Sequence, residues 1–148
     1  MYKIVSLVVA SLFSLATVAQ IKDPVKWTAT SRKTANGVEV VLSATLPKPW
    51  HIYSQFTGEG GPIATSFKFS KNPLVTLDGS IKEVGKLKAQ YDKLFDTKVK
   101  YFGDKVEFVQ SVKVKGNVKT NLNVTVEYMT CDDSQCLPPT KKNFTISL

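Results

Sequence analysis

Apolar and polar residues alternate with a period of two along much of the chain, and that period predicts strands. The clearest case is Leu122 to Thr130, where Leu122, Val124, Val126 and Tyr128 alternate with Asn123, Thr125, Glu127 and Met129. Successive side chains of a strand point to opposite faces, so this segment has one apolar and one polar face. Val106 to Lys115 behaves alike, with Val106, Phe108 and Gln110 on one face and Val112 and Val114 continuing it. Near the start, Val25 to Thr34 is half-alternating, Asn36-Gly37 signals a tight turn, and Val38 to Leu46 is rich in β-branched residues. Together these predict a hairpin. Pro47 and Pro49 end it, because proline has no N–H to give to a sheet ladder.

Shorter elements fill the middle of the chain. Trp50 to Ser54 is an aromatic strand, Gly58 to Pro62 a glycine-rich loop, and Ala64 to Phe69 alternates with Phe67 and Phe69 on one face. Leu74 to Leu77 and Phe144 to Leu148 read as further strands, and Gly116-Asn117 as a turn. Between Val84 and Lys100 the pattern fails: Gly85 to Asp96 is polar with aromatic and aliphatic islands and fits neither strand nor helix period. We expect a long irregular loop there, a feature uncommon in compact domains and often functional. Roughly eight short strands, turn signals at regular intervals and almost no helical period predict an antiparallel β-sandwich. Trp27 and Trp50 are candidates for its core.

Residues 1 to 19 carry Lys3, an apolar run from Ile4 to Leu15 broken by serines, and then Ala16-Thr17-Val18-Ala19. That is the pattern of a secretory signal peptide cleaved near Ala19 and Gln20, too short and too rich in serine to span a bilayer. The remaining 129 of the 148 residues suit one domain, residues 20 to 148. Losing Lys3 lowers the net charge from +8 to +7. Of the 20 basic residues only Arg32 is arginine, and the lysines are scattered. Readers of nucleic acid cluster Arg and Lys, so this charge reads as a solvated surface and no nucleic-acid partner is expected.

The only cysteines are Cys131 and Cys136, separated by Asp132, Asp133, Ser134 and Gln135 and followed by Leu137-Pro138-Pro139. An immunoglobulin domain places one cysteine early and one late, with a tryptophan between them, to tie its sheets together. This pair is late and close, so it cannot tie sheets in that way. In an oxidising compartment two cysteines default to a disulfide. Closing a loop of about six residues contributes only about 2 kcal/mol, a weak staple. A short, exposed bridge at a strand end is of the kind that tends to exchange, and the spacing alone leaves a structural and a reactive pair equally open. Asp132 and Asp133 place negative charge beside Cys131 and disfavour its thiolate, while Pro138 and Pro139 stiffen the exit from the loop. Such a site is sluggish towards small thiols and needs a partner.

Other chemistries have less support. Structural zinc needs four ligands, and the chain offers two cysteines and His51. Two thiolates with His51 or Met129 could hold Cu(I), which keeps a copper carrier open as an alternative. A non-catalytic exported binding module with an inert disulfide is another. No Gly-x-Ser-x-Gly, phosphate-cradling loop or metal-spaced carboxylate cluster is present, so no metal is assigned.

Three segments carry a resemblance: Trp50-His51-Ile52-Tyr53-Ser54-Gln55, Gly60 to Phe67, and Cys131 to Thr140 with its double proline. In this order they resemble the N-terminal periplasmic domain of the thiol:disulfide interchange protein DsbD, over essentially the whole chain after the leader. The resemblance implies an immunoglobulin-like sandwich in the periplasm whose cysteine pair is a redox-active disulfide, with no other cofactor. It implies exchange with thioredoxin-like or disulfide isomerase partners, including those of cytochrome c maturation, with Cys136 forming the mixed disulfide and Cys131 resolving it. It also implies a cap over the pair. Asp92-Lys93-Leu94-Phe95-Asp96 is the candidate, with Phe95 as shield and Leu94 the alternate. Tyr53 and His51 match aromatic positions lining the site. The loop between the cysteines is one residue shorter than in the best-known members. The membrane and thioredoxin-like domains of that protein have no counterpart in this sequence, so either a separate membrane electron donor of the DsbD type serves the chain or the fold has been kept for another task; a monomer is expected.

Overall fold

The computed structural model describes residues 23–116 and 118–148. The expected signal peptide and Asn117 lie outside the described residues. The first hairpin pairs β1, Lys26–Thr34, with β2, Gly37–Thr45, in antiparallel register. Its turn works because Gly37 takes a φ of +143°, and a β-carbon there would lie 2.7 Å from the Val112 carbonyl oxygen. Only glycine tolerates both the angle and the approach.

The remaining strands are β3 (His51–Tyr53), β4 (Ser66–Phe69), β5 (Val75–Gly85), β6 (Lys88–Asp92) and β7 (Thr97–Gly103). After them come β8 (Lys105–Val114), β9 (Asn121–Tyr128), β10 (Thr130–Cys131) and β11 (Thr140–Ser147). They form three antiparallel sheets in the orders β1-β2-β8-β5, β10-β3-β7-β6 and β11-β9-β4. The described residues contain no helix long and apolar enough to cross a membrane. The expected β-sandwich is therefore the architecture found.

The main core lies between the first and third sheets. Val40, Leu42 and Ala44 of β2 and Val106, Phe108 and Val112 of β8 meet Leu122, Val124, Val126 and Tyr128 of β9 and Ile146 of β11. The alternation in β9 is thus an inward apolar face. Phe108 anchors an aromatic cluster: Phe67 lies at a ring separation of 4.9 Å, Trp27 at 6.0 Å and Phe102 at 6.4 Å. Trp50 is buried in this core and Trp27 packs against it, as expected from the sequence. Gln110 shares the parity of the core positions yet is polar. Its amide donates to the carbonyls of Asp78, Gly79 and Ser111, filling the irregularity between Asp78 and Lys82 where β5 shifts register against β8.

The expected irregular loop from Val84 to Lys100 is a misreading. β5 continues to Gly85, and β6 and β7 form a regular hairpin with Asp92 opposite Thr97. β6 is an edge strand whose residues are exposed on both faces up to Asp92. A strand with neither face buried is under no pressure to alternate, so no period of two was there to read. Only Lys93 to Asp96 form the connection, and Asp96 adopts a left-handed φ of 52°, a conformation Asp tolerates.

Candidate functional site

The middle sheet presents two chemically different faces. Ile52, Phe102 and the preceding Trp50 point into the main core. Residues of opposite parity occupy the other face: His51 and Tyr53 of β3, opposite Gly103 and Tyr101 of β7, with Cys131 of β10 directly opposite His51. Strand pairing therefore brings together side chains that sequence places 80 residues apart.

The cysteines form a disulfide with a Cα–Cα distance of 4.0 Å, and they face each other as an isolated antiparallel bridge. The segment between them is thus a tiny hairpin. Asp132 N–H donates to the Gln135 carbonyl, and Leu137 N–H donates to the Thr130 carbonyl. Asp132 caps the loop: its Oδ1 accepts from Ser134 N–H (2.8 Å), Ser134 Oγ (2.9 Å) and Gln135 N–H (2.8 Å). These donors, the Ser134 amide foremost, pull its carboxyl down to about 2. Asp132 thus fixes the loop as well as adding charge beside Cys131, while Asp133 is exposed and lines the neighbouring clefts.

The bridge is not exposed as expected. Cys131 is 1% exposed and packs with the buried Tyr53 and Val99, and Phe95, Tyr101, Met129 and Cys136 close in around them. Cys136 is half-buried and is the more exposed of the two cysteines. The cover comes from the β6–β7 hairpin tip. Phe95 is half-buried and meets Tyr53 edge-on, at a ring separation of 6.3 Å and an angle of 87°. Leu94, one residue earlier, is 60% exposed, so the tip turns Phe95 and not Leu94 onto the cluster. Asp92 Oδ1 accepts from the Leu94 amide (2.8 Å), and Tyr91 hydroxyl bonds to Asp96, which shapes the tip. Pro138 is exposed, just beyond Cys136.

His51 is buried, with Nε2 3.3 Å from Tyr53 Oη and its ring 4.7 Å from that of Tyr101. Burial lowers its pKa, opposed by the Pro49 carbonyl and by Asp92, Asp133 and Asp132. Burial raises both tyrosines, with Asp92 adding to the effect on Tyr53 and Asp133 on Tyr101. A cleft of about 340 Å³ opens beside this cluster between His51, Asp92, Leu94 and Asp133. Behind β3, Thr65 Oγ1 donates to the Tyr53 carbonyl (2.6 Å). Glu83 accepts from Ser54 Oγ (2.8 Å) and Gln55 N–H (2.7 Å), tying the following loop to β5.

Sequence reasoning missed Val99, Tyr101 and Glu83. The alternation of Val99, Tyr101 and Gly103 against Lys98 and Lys100 was a usable signal for the first two. Nothing local marks Glu83, whose contacts to Ser54 and Gln55 cross 29 and 28 residues of sequence.

Comparison with known proteins decides the family. The sequence matches the family described as thiol:disulfide interchange protein DsbD, N-terminal, over residues 19–148. The chain belongs to that family. Among solved structures, the DsbD N-terminal domain of Neisseria meningitidis in its reduced form is similar at 15% identity and a TM-score of 0.54. That match covers 82% of this chain and 85% of the other. The N-terminal periplasmic domain of ScsB from Proteus mirabilis is similar at 19% identity and a TM-score of 0.53, covering 84% of this chain and 44% of that one. This chain therefore spans less than half of the ScsB domain's length. No curated protein matches the sequence. The fold is the immunoglobulin-like sandwich of the DsbD N-terminal family, as the resemblance implied.

Proposed function

We propose that this protein relays reducing equivalents by thiol–disulfide exchange through Cys131 and Cys136, between a membrane electron donor of the DsbD type and thioredoxin-like or disulfide isomerase partners in the periplasm. The observation that carries the reading is the unequal burial of the two cysteines beside a four-residue tip. Cys136 is reachable, while Cys131 is enclosed by Tyr53, Val99 and Phe95. A donor thiolate attacks Cys136 Sγ, the bridge breaks, and Cys131 leaves as a thiolate and takes a proton. A second donor thiol then attacks the mixed disulfide, leaving the domain as a dithiol and the donor oxidised. Passing the two electrons on reverses these steps on an acceptor disulfide. Phe95 shields the pair until a partner displaces the tip.

The Cys131→Ser variant tests the reading, because without Cys131 a mixed disulfide on Cys136 has no internal route to resolve. Incubated with a thioredoxin-like domain that keeps only its exposed active-site cysteine, activated as a mixed disulfide with thionitrobenzoate, the reduced variant is expected to displace the thionitrobenzoate and form a one-to-one covalent adduct located on Cys136 by mass spectrometry. The Cys131→Ser, Cys136→Ser double variant forms none. An unmodified Cys131→Ser variant under the same conditions overturns the proposal.

A further inference from the structure

We propose that the His51–Tyr53 pair is the proton acceptor for the Cys131 thiol, which places a general base in the exchange reaction. The inference rests on the exchange reading above and assigns the proton that reading leaves unplaced. His51 is the only histidine in the chain. It stands directly opposite Cys131 in the β3–β10 register, where facing β-carbons lie about 5 Å apart. Tyr53, two residues on and on the same face, shares one packed cluster with Cys131 and reaches His51 Nε2 at 3.3 Å. A tilted ring contact with Tyr101, at 4.7 Å and 50°, holds the imidazole in place. The Pro49 carbonyl holds one ring N–H. A neutral imidazole then keeps its other nitrogen as an acceptor, and Tyr53, whose hydroxyl lies 3.3 Å from Nε2, packs in the same cluster as Cys131.

Cys131 needs such an acceptor. At 1% exposure its thiol has no direct path to water, and burial together with nearby carboxylates disfavours a free thiolate. The charges around His51 come from every element packed on it. Asp92 lies at the end of β6 and Lys93 on the tip beyond it. Asp132 and Asp133 come from the cysteine loop, and Lys88 lies 5.9 Å from the centre of the Tyr101 ring. Lys48 before β3 and Asp104 after β7 border the opposite side. Burial prevails over the carboxylates, so His51 stays neutral and able to accept a proton at neutral pH.

With Cys136 held in a mixed disulfide, the Cys131 S–H proton passes to the Tyr53 hydroxyl as that hydroxyl gives its own to His51 Nε2. The Cys131 thiolate attacks Cys136 Sγ, the Cys131–Cys136 bond forms, and the bond from Cys136 to the partner breaks. The partner sulfur leaves with the electron pair and is protonated from solvent, while the imidazolium sheds its proton through the cleft. In the opposite direction His51 takes a proton from solvent through the cleft and the resulting imidazolium delivers it, through Tyr53, to Cys131 as it leaves.

Reaction of the reduced protein with dithionitrobenzoate separates the two sulfurs. Attack by Cys136 releases one coloured thiolate, and closure by Cys131 releases a second. In the wild type the second phase is expected to stay nearly flat with pH from 8 down to the His51 pKa, which lies below 6.5. His51→Gln should slow it by roughly 100-fold at neutral pH, the lower end of general-base effects, and make it rise about tenfold per pH unit. Tyr53→Phe keeps the ring and its packing and should slow it with the same change of profile. A second phase that keeps the wild-type pH profile in both variants overturns the inference, whether or not its rate falls uniformly. A wild type that releases only the first thiolate instead removes the exchange reading itself.

Discussion

Two faces of the same three-residue strand are equally buried and chemically opposite. Ile52 is 0% exposed and points into the main core, while its neighbours His51 and Tyr53, at 8% and 0%, point the other way. What differs is the cover. Ile52 and Phe102 lie beneath the strands of the other sheets, which separate only when the domain unfolds. Tyr53 and Cys131 lie beneath Lys93 to Asp96 and one half-buried ring, Phe95. A tip of four residues with one apolar anchor belongs to the low-stability end of a structure and can open locally. Burial by itself therefore does not separate core from site, whereas the free energy needed to remove the cover does.

Substitution on the inner face should have the largest effect. Phe102→Ala should destabilise the domain by about 3–5 kcal/mol, read as a drop in denaturant midpoint. The rate of disulfide reduction per folded molecule should hardly change. On the outer face the order reverses. Phe95→Ala removes an edge-on aromatic contact worth about 1 kcal/mol, which should raise the open population and the alkylation rate of the reduced thiols about fivefold. Global stability should barely move. An unchanged alkylation rate removes Phe95 from the role of shield.

The smallest effect concerns the cysteine loop. The Asp132 carboxyl is held at about 2, below its ordinary 3.8, so the unfolded chain binds more protons there than the folded one as the solution is acidified. Its contribution is complete above the ordinary value and is lost as pH falls through about 2. Asp132→Asn should flatten the acid limb of stability against pH, checked by denaturant titrations between those two values.

Much of the fold was legible because burial on one face imposes a period of two. Leu122 to Tyr128 and Val106 to Val114 show it, and both proved to be core strands. β6 was invisible for the complementary reason: an edge strand open on both faces carries no such pattern. The site was legible where chemistry is rare, in one cysteine pair, one histidine and the aromatic strand that holds it. The register that sets His51 opposite Cys131 was not, because strand pairing across 80 residues leaves no local trace. Nor was the burial of Cys131, which depends on a hairpin tip folding over it.

The proposed relay requires the buried Cys131–Cys136 disulfide to be a redox couple and not a staple. The direct measurement is the reduction potential of the Cys131–Cys136 pair, taken by equilibrating the protein in thiol–disulfide buffers and following the fraction oxidised. A reversible couple above about −300 mV is the predicted result. A value below about −300 mV, in the range of inert structural disulfides, would contradict it.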